Sequence, residues 1–120
     1  MRVVELNSES IEAFIRREPV AAVLYFTPHD RRIDAILREF SAVAQTFDEL
    51  VAFGSLDLAA SENAEILEKC YVVMTPTVIY YRFGEECGDD FGEDEIMKWL
   101  NHDSIVHQYG HTDTWLRLVR

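Results

Sequence analysis

Apolar residues alternate between two rhythms along the first hundred positions of the chain. Val3 to Leu6 is a short strand-like run, and Ile11, Phe14 and Ile15 then recur at the spacing of one helix face, with Asn7 or Ser8 as the expected cap. Pro19 closes that helix, because a proline pushes the residue before it out of the α region. Ala21 to Phe26 is almost wholly apolar, which predicts a central strand covered by helices on both faces. A helical pattern follows from Arg31, in which Ile33, Ile36, Leu37, Phe40, Val43, Ala44 and Phe47 form the most regular amphipathic stripe of the chain. Val51 to Leu56 reads as a third strand, and Ser61 as the cap of a short helix that carries Ile66 and Leu67 inward and ends near Tyr71. Thr77 to Phe83 and Cys87 to Phe91 read as a hairpin turning through Gly84-Glu85. Glu93-Asp94-Glu95 open a last helix, where its dipole favours negative charge, and Ile96, Trp99 and Leu100 form the inner face.

The predicted order is βαβαβα followed by ββα. Strands alternating with helices imply parallel pairing, and a closing hairpin adds antiparallel strands, so the expected fold is a three-layer α/β/α domain with a mixed sheet over residues 1–100. Residues 101–120 form a tail that still holds Ile105, Val106, Tyr109, Trp115, Leu116, Leu118 and Val119. A disordered tail is poor in such residues, so this one is expected to dock on the domain or on another protein, with Trp115, Leu116 and Leu118 as contacts.

Composition narrows the partners. No apolar run approaches the roughly 20 residues of a membrane span, and the first residues lack the pattern of a signal peptide, so a cytoplasmic protein is expected. Twenty-two acidic against eleven basic residues give a net charge of −11, which opposes nucleic acid and anionic membrane and favours a protein partner with a neutral or basic surface. Seven acids and no basic residue lie between Glu85 and Glu95, without the spacing of a calcium loop; they suit an edge strand blunted by charge and a favourable helix start, and can also meet a basic partner.

Candidate chemistry is sparse. Cys70 and Cys87 are seventeen positions apart, matching neither a redox Cys-x-x-Cys nor a zinc pattern, and read as two reduced thiols. On the expected layout Cys70 ends a helix and Cys87 lies near the far sheet edge, which disfavours a disulfide. His107 and His111 have an i,i+4 spacing, but Gly110 interrupts any helix between them, and no metal or cofactor is expected. His29 adjoins Asp30, yet neighbours at a helix start do not face each other and no nucleophile is fixed beside them.

Two blocks carry a family resemblance. The run Ala21-Ala22-Val23-Leu24-Tyr25-Phe26-Thr27 leads into a helix, and Met74-Thr75-Pro76-Thr77-Val78-Ile79-Tyr80-Tyr81 has a proline opening a strand. With the Phe83-Gly84-Glu85 turn and Phe91-Gly92 before the last helix, the chain resembles the thioredoxin-like superfamily over roughly residues 1–100. The resemblance implies a thioredoxin-like fold, a cis Thr75–Pro76 bond, and a groove in which the residue before that proline offers its backbone to an extended peptide. Thr27, Pro28 and His29 would lie across the gap from Thr75 and Pro76, with Gly92 flanking.

The family's Cys-x-x-Cys is absent. Pro28-His29-Asp30 stands in its place as a shorter connection without a thiol, and Thr27 to Asp30 fit a capping box, with Thr27 as cap, Pro28 at the first helical position and Asp30 reaching back. The buried acid that thioredoxins carry in the preceding strand is matched by Leu24. The resemblance therefore implies a redox-inactive member: an interaction module, subunit or assembly factor of a hetero-complex rather than an enzyme. Glu95 to Leu100, Asp103-Ser104-Ile105 and Tyr109-Gly110 are also similar to the domain end of phosducin-like proteins, which assist cytosolic chaperonin and G-protein or tubulin assembly. The alternatives are such a co-chaperone, or an oxidoreductase using Cys70 or Cys87 as a single thiol.

Overall fold

The two rhythms resolve into five strands and four helices in a computed structural model, which describes residues 3–47, 51–69 and 74–101. The order is β1 (Val3–Leu6), α1 (Ile11–Arg17), β2 (Val20–Phe26), α2 (Ile33–Phe47), β3 (Ala52–Asp57), a 3-10 turn (Ser61–Asn63) running into α3 (Ala64–Lys69), β4 (Thr77–Arg82), β5 (Glu85–Phe91) and α4 (Glu93–Leu100). The sheet order is β1-β3-β2-β4-β5, with β1 and β2 parallel to β3, β4 antiparallel to β2, and β5 antiparallel to β4.

β2 sits in the middle of the sheet because every second side chain is needed on each face. Ala22 and Leu24 enter one core with Ile33, Ile36 and Phe40 of α2 and Ile96, Trp99 and Leu100 of α4. Ala21, Val23 and Tyr25 enter the other, with Ile11 and Phe14 of α1 and Ile66 of α3. Each large apolar side chain withdrawn from water contributes about 1.5–3 kcal/mol, so the two layers of helices follow from one strand apolar on both sides. Gly54 in β3 allows the closest approach on the α1 side, where a Cβ at that position would lie 2.5 Å from Leu6 Cδ1 and 3.1 Å from Phe14 Cε2.

Several boundaries differ from the sequence reading, each for a physical reason. The cap of α1 is Ser10, whose hydroxyl makes no capping bond to the helix but accepts the Asn7 N–H, while the Asn7 side chain accepts the Glu9 and Ser10 N–H groups in a turn before the helix. Ser8 is no cap, because its N–H donates to Asn63 Oδ1 and its hydroxyl to the Glu62 carbonyl. Ser61 begins the 3-10 turn rather than capping it. The hairpin turns through Phe83 and Gly84, both at positive φ (51° and 85°), and Glu85 already pairs with Arg82 as the first residue of β5.

The correction that bears on function is at the start of α2. Arg31 and Arg32 are not helical, so six residues, Thr27–Arg32, connect β2 to α2, and the connection is not shortened to Pro28-His29-Asp30. Pro28 lies in a turn ahead of the helix, not at its first position. Cys70, the helix end near Tyr71, and the tail with Trp115, Leu116 and Leu118 lie outside the described residues.

Candidate functional site

β2 ends between a parallel neighbour and an antiparallel one, so the connection leaving it and the one entering β4 meet at one end of the sheet centre. The first connection is two successive turns: the Asp30 N–H donates to the Thr27 carbonyl at 3.1 Å, and the Ile33 N–H to the Asp30 carbonyl at 3.2 Å. The second contains the Thr75–Pro76 peptide bond, which is cis. Thr77 continues from it into β4, and its hydroxyl donates to the Met74 carbonyl.

Asp30 joins the two connections. One carboxylate oxygen accepts the Thr27 N–H at 2.9 Å and the other accepts the Thr75 hydroxyl at 3.2 Å. The reach of Asp30 back to Thr27 is that of a capping box, but it closes a turn rather than a helix end. A third segment completes the site, where the Gly92 N–H donates to the Pro76 carbonyl at 2.9 Å. Gly92 has φ 86°, a backbone state that L side chains rarely adopt, and α4 starts from it. The start of α4 is fastened to the first connection as well. Glu93 accepts the Arg31 N–H at 3.0 Å and the Arg31 Nε at 3.3 Å, and Asp94 accepts Arg32 Nη1 at 2.8 Å.

The structure thus brings Thr27, Pro28, His29, Thr75, Pro76 and Gly92 to one place. Pro28 and His29 are exposed at the tip of the first turn, Thr75 is half-buried and Pro76 is buried. Two apolar residues that the sequence reading did not single out as contacts are exposed next to these positions in the chain: Met74, 50% exposed, and Phe91, 45% exposed. Their signal in the sequence is positional, since each directly precedes one of the site's polar or glycine-bearing pairs, Thr75-Pro76 or Gly92-Glu93. The connection Thr27–Arg32 holds no cysteine, serine or lysine. Its carboxylate is engaged by two donors, the Thr27 N–H and the Thr75 hydroxyl.

Away from the groove, Tyr80 donates its hydroxyl to Asp90 beneath α4, and its ring lies 5.6 Å from that of Trp99. Burial pushes the Asp90 carboxyl up from its ordinary value, the nearby charges of Glu95 and Asp89 add to this, and the Tyr80 hydrogen bond opposes it. Cys87 lies on β5, at one edge of the described sheet. Among the described residues no group of three His, Cys, Asp or Glu side chains is placed to hold a metal ion, and no helix is long and apolar enough to cross a membrane.

A mixed sheet between two helical layers, with a cis proline opening β4 opposite the β2–α2 connection, makes this a thioredoxin-like α/β fold. Solved structures agree. The chain is similar to thioredoxin f from spinach chloroplast, long form, with a TM-score of 0.71 at 17% identity over 88% of this chain and 82% of that one. It is similar to a mutant thioredoxin from Halobacterium salinarum, with a TM-score of 0.70 at 12% identity over 92% and 93% of the two chains. It is also similar to a chain in the complex of ferredoxin:thioredoxin reductase and thioredoxin f2, with a TM-score of 0.73 at 11% identity over 89% and 96%. No protein-family model matches the sequence, and no curated protein does.

Proposed function

We propose that the protein is a redox-inactive binding module that holds an extended segment of a partner protein beside Thr75 and Pro76, as a subunit or assembly factor of a larger complex. The observation that carries this reading is Asp30. In the connection where a dithiol would act, the chain places a carboxylate held by the Thr27 N–H and the Thr75 hydroxyl, and a carboxylate cannot take part in thiol–disulfide exchange. What remains is suited to binding: Thr75, which the following proline holds out of the helical region, and Met74 and Phe91, exposed next to Thr75 and Gly92 in the chain. Covering each of those side chains contributes about 1.5–3 kcal/mol, and the net charge of −11 selects a segment that is neutral or basic as well as apolar.

Affinity purification from native extract with wild type, Met74→Asp and Phe91→Asp tests the reading. Wild type should retain a partner that both variants lose, with melting temperatures unchanged. A second reading, an oxidoreductase acting through Cys70 or Cys87 in a reducing compartment, draws support from the thioredoxin neighbours, one of them solved with ferredoxin:thioredoxin reductase. An insulin-reduction assay separates the two. Turnover by wild type that disappears in Cys70→Ser or Cys87→Ser would establish the redox reading against the binding one.

A further inference from the structure

The end of the sheet away from the groove carries a side chain that neither core takes up. β4 runs from Thr77, beside the cis proline, to Arg82, a length of about 20 Å. Phe83 then enters the hairpin turn at φ 51°, with its ring 67% exposed. A bulky residue in the left-handed region is an outlier, and such strain persists where the side chain serves a function. The Arg82 guanidinium lies over the ring, 5.5 Å from its centre, and among the described residues the ring belongs to neither hydrophobic cluster. The fold holds an aromatic out in water at a cost in backbone strain.

The charges around that ring define what can cover it. The Phe83 N–H donates to the Pro19 carbonyl at 2.9 Å, and a Cβ on Gly84 would lie 3.4 Å from Arg16 Cγ, so the turn rests on the end of α1. Arg16 pairs there with Glu12 at 2.8 Å and Arg17 with Glu18 at 3.2 Å, and Arg82 stands opposite Glu85 across the hairpin. Three cations balance three acids, so this end is neutral and the rest of the molecule carries the whole charge of −11. An acidic or a basic partner finds no net charge to bind here. A second copy of the chain finds its complement, because a two-fold contact sets residue i against j and j against i, and exposed ion pairs exchange partners at little cost. This is also where two like-charged molecules meet the least repulsion, since charges beyond roughly 8 Å are screened in physiological salt.

We propose that two copies of this chain pair tip to tip through the hairpin, one Phe83 ring against the other, with Arg82 of each copy against Glu85 of the partner subunit. Aromatic pairs of this kind add to the apolar area they cover. A hairpin tip and the end of a short helix are a small surface, below the roughly 1,200 Å² of stable complexes, so the pairing is reversible and depends on concentration. The proposal is independent of the groove. Thr75 and Pro76 precede β4 whereas Phe83 follows it, so the dimer leaves both grooves open at its far ends. One assembly then presents two binding sites and gains by avidity from a partner that offers two segments.

Sedimentation of the full chain from about 10 μM to about 1 mM tests this, the range in which so small a contact associates. Wild type should shift from monomer toward dimer as concentration rises. Phe83→Asn supplies a residue that the turn favours, so it should stay monomeric throughout, with a melting temperature in dilute solution no lower than that of wild type. Arg82→Glu and Glu85→Arg each set like charges across the two-fold, and each should dimerise about tenfold more weakly. Mixed in equal amounts, the two variants should pair with each other, because opposite charges then face. A wild type that is monomeric at every concentration overturns the proposal. So does a dimer that Phe83→Asn leaves intact, which would place the interface on another face, or a mixture of the two charge variants that recovers no dimer.

Discussion

The hydroxyl of Thr75 donates to the carboxylate of Asp30 across 3.2 Å, and the two residues are forty-five positions apart in the chain. This contact joins the turn that leaves the central strand to the residue before the cis proline. The other oxygen of the same carboxylate holds the Thr27 N–H, so one side chain ties the β2–α2 connection to the segment that enters β4.

Asp30→Ala should therefore destabilise the domain by about 1–2 kcal/mol, because two part-buried donors lose a charged acceptor and are only partly repaid by water. Thr27→Ala should cost less than about 0.5 kcal/mol, because the Thr27 donor is its backbone N–H and survives the change. A capping role for the Thr27 hydroxyl would instead make Thr27→Ala cost about 1 kcal/mol. Urea unfolding of the two variants decides between these roles.

Gly54→Ala should cost about 1–3 kcal/mol by overpacking, since the added methyl would meet Leu6 Cδ1 at 2.5 Å with Phe14 close behind it. In Leu6→Ala the same substitution should cost far less, because the space is vacated. A double-mutant cycle by thermal melting measures the coupling, and additive costs would place the strain elsewhere.

The hairpin offers a substitution in the other direction. Phe83 occupies the first central position of a two-residue turn at φ 51°, where asparagine followed by glycine is favoured, and its ring is 67% exposed. Phe83→Asn should be stabilising by about 0.5 kcal/mol despite losing the Arg82 guanidinium that lies 5.5 Å from the ring. A lower melting temperature in this variant would show that the ring contributes more than the turn strain costs.

These cases show which parts of the fold and site a sequence discloses. β2 is apolar at every position from Ala21 to Phe26 and α2 repeats its apolar residues over four turns, so both elements are legible from local pattern alone. The start of α2 is not. Arg31 and Arg32 suit a helix locally, but they turn instead toward Glu93 and Asp94, sixty-two positions away. Ser8 looks like a cap until Asn63 and Glu62 are folded beside it. Phe83 hides a turn because a bulky residue stands where a small polar one is usual. Asp30 reads correctly as reaching back to Thr27, whereas its bond to Thr75 depends on the sheet order, which no window of sequence contains.

Asp90 supplies a pH test of the sheet's acidic edge. Its carboxyl is raised above the ordinary 3.8, first by burial and then by Glu95 and Asp89, against the Tyr80 hydrogen bond. A group bound more tightly to its proton in the folded state favours folding fully below pH 3.8, and that contribution is lost as pH rises through the raised value. At pH 7 the ionised carboxylate is therefore a net cost to the fold. Asp90→Asn keeps an acceptor for the Tyr80 hydroxyl and removes the charge, so it should melt higher than wild type at pH 7, and the difference should shrink toward zero as pH falls below 3.8. Thermal melts of both proteins across that range give the difference directly. A variant that melts lower at pH 7 would mean that the ionised Asp90–Tyr80 hydrogen bond outweighs the cost of burying the charge.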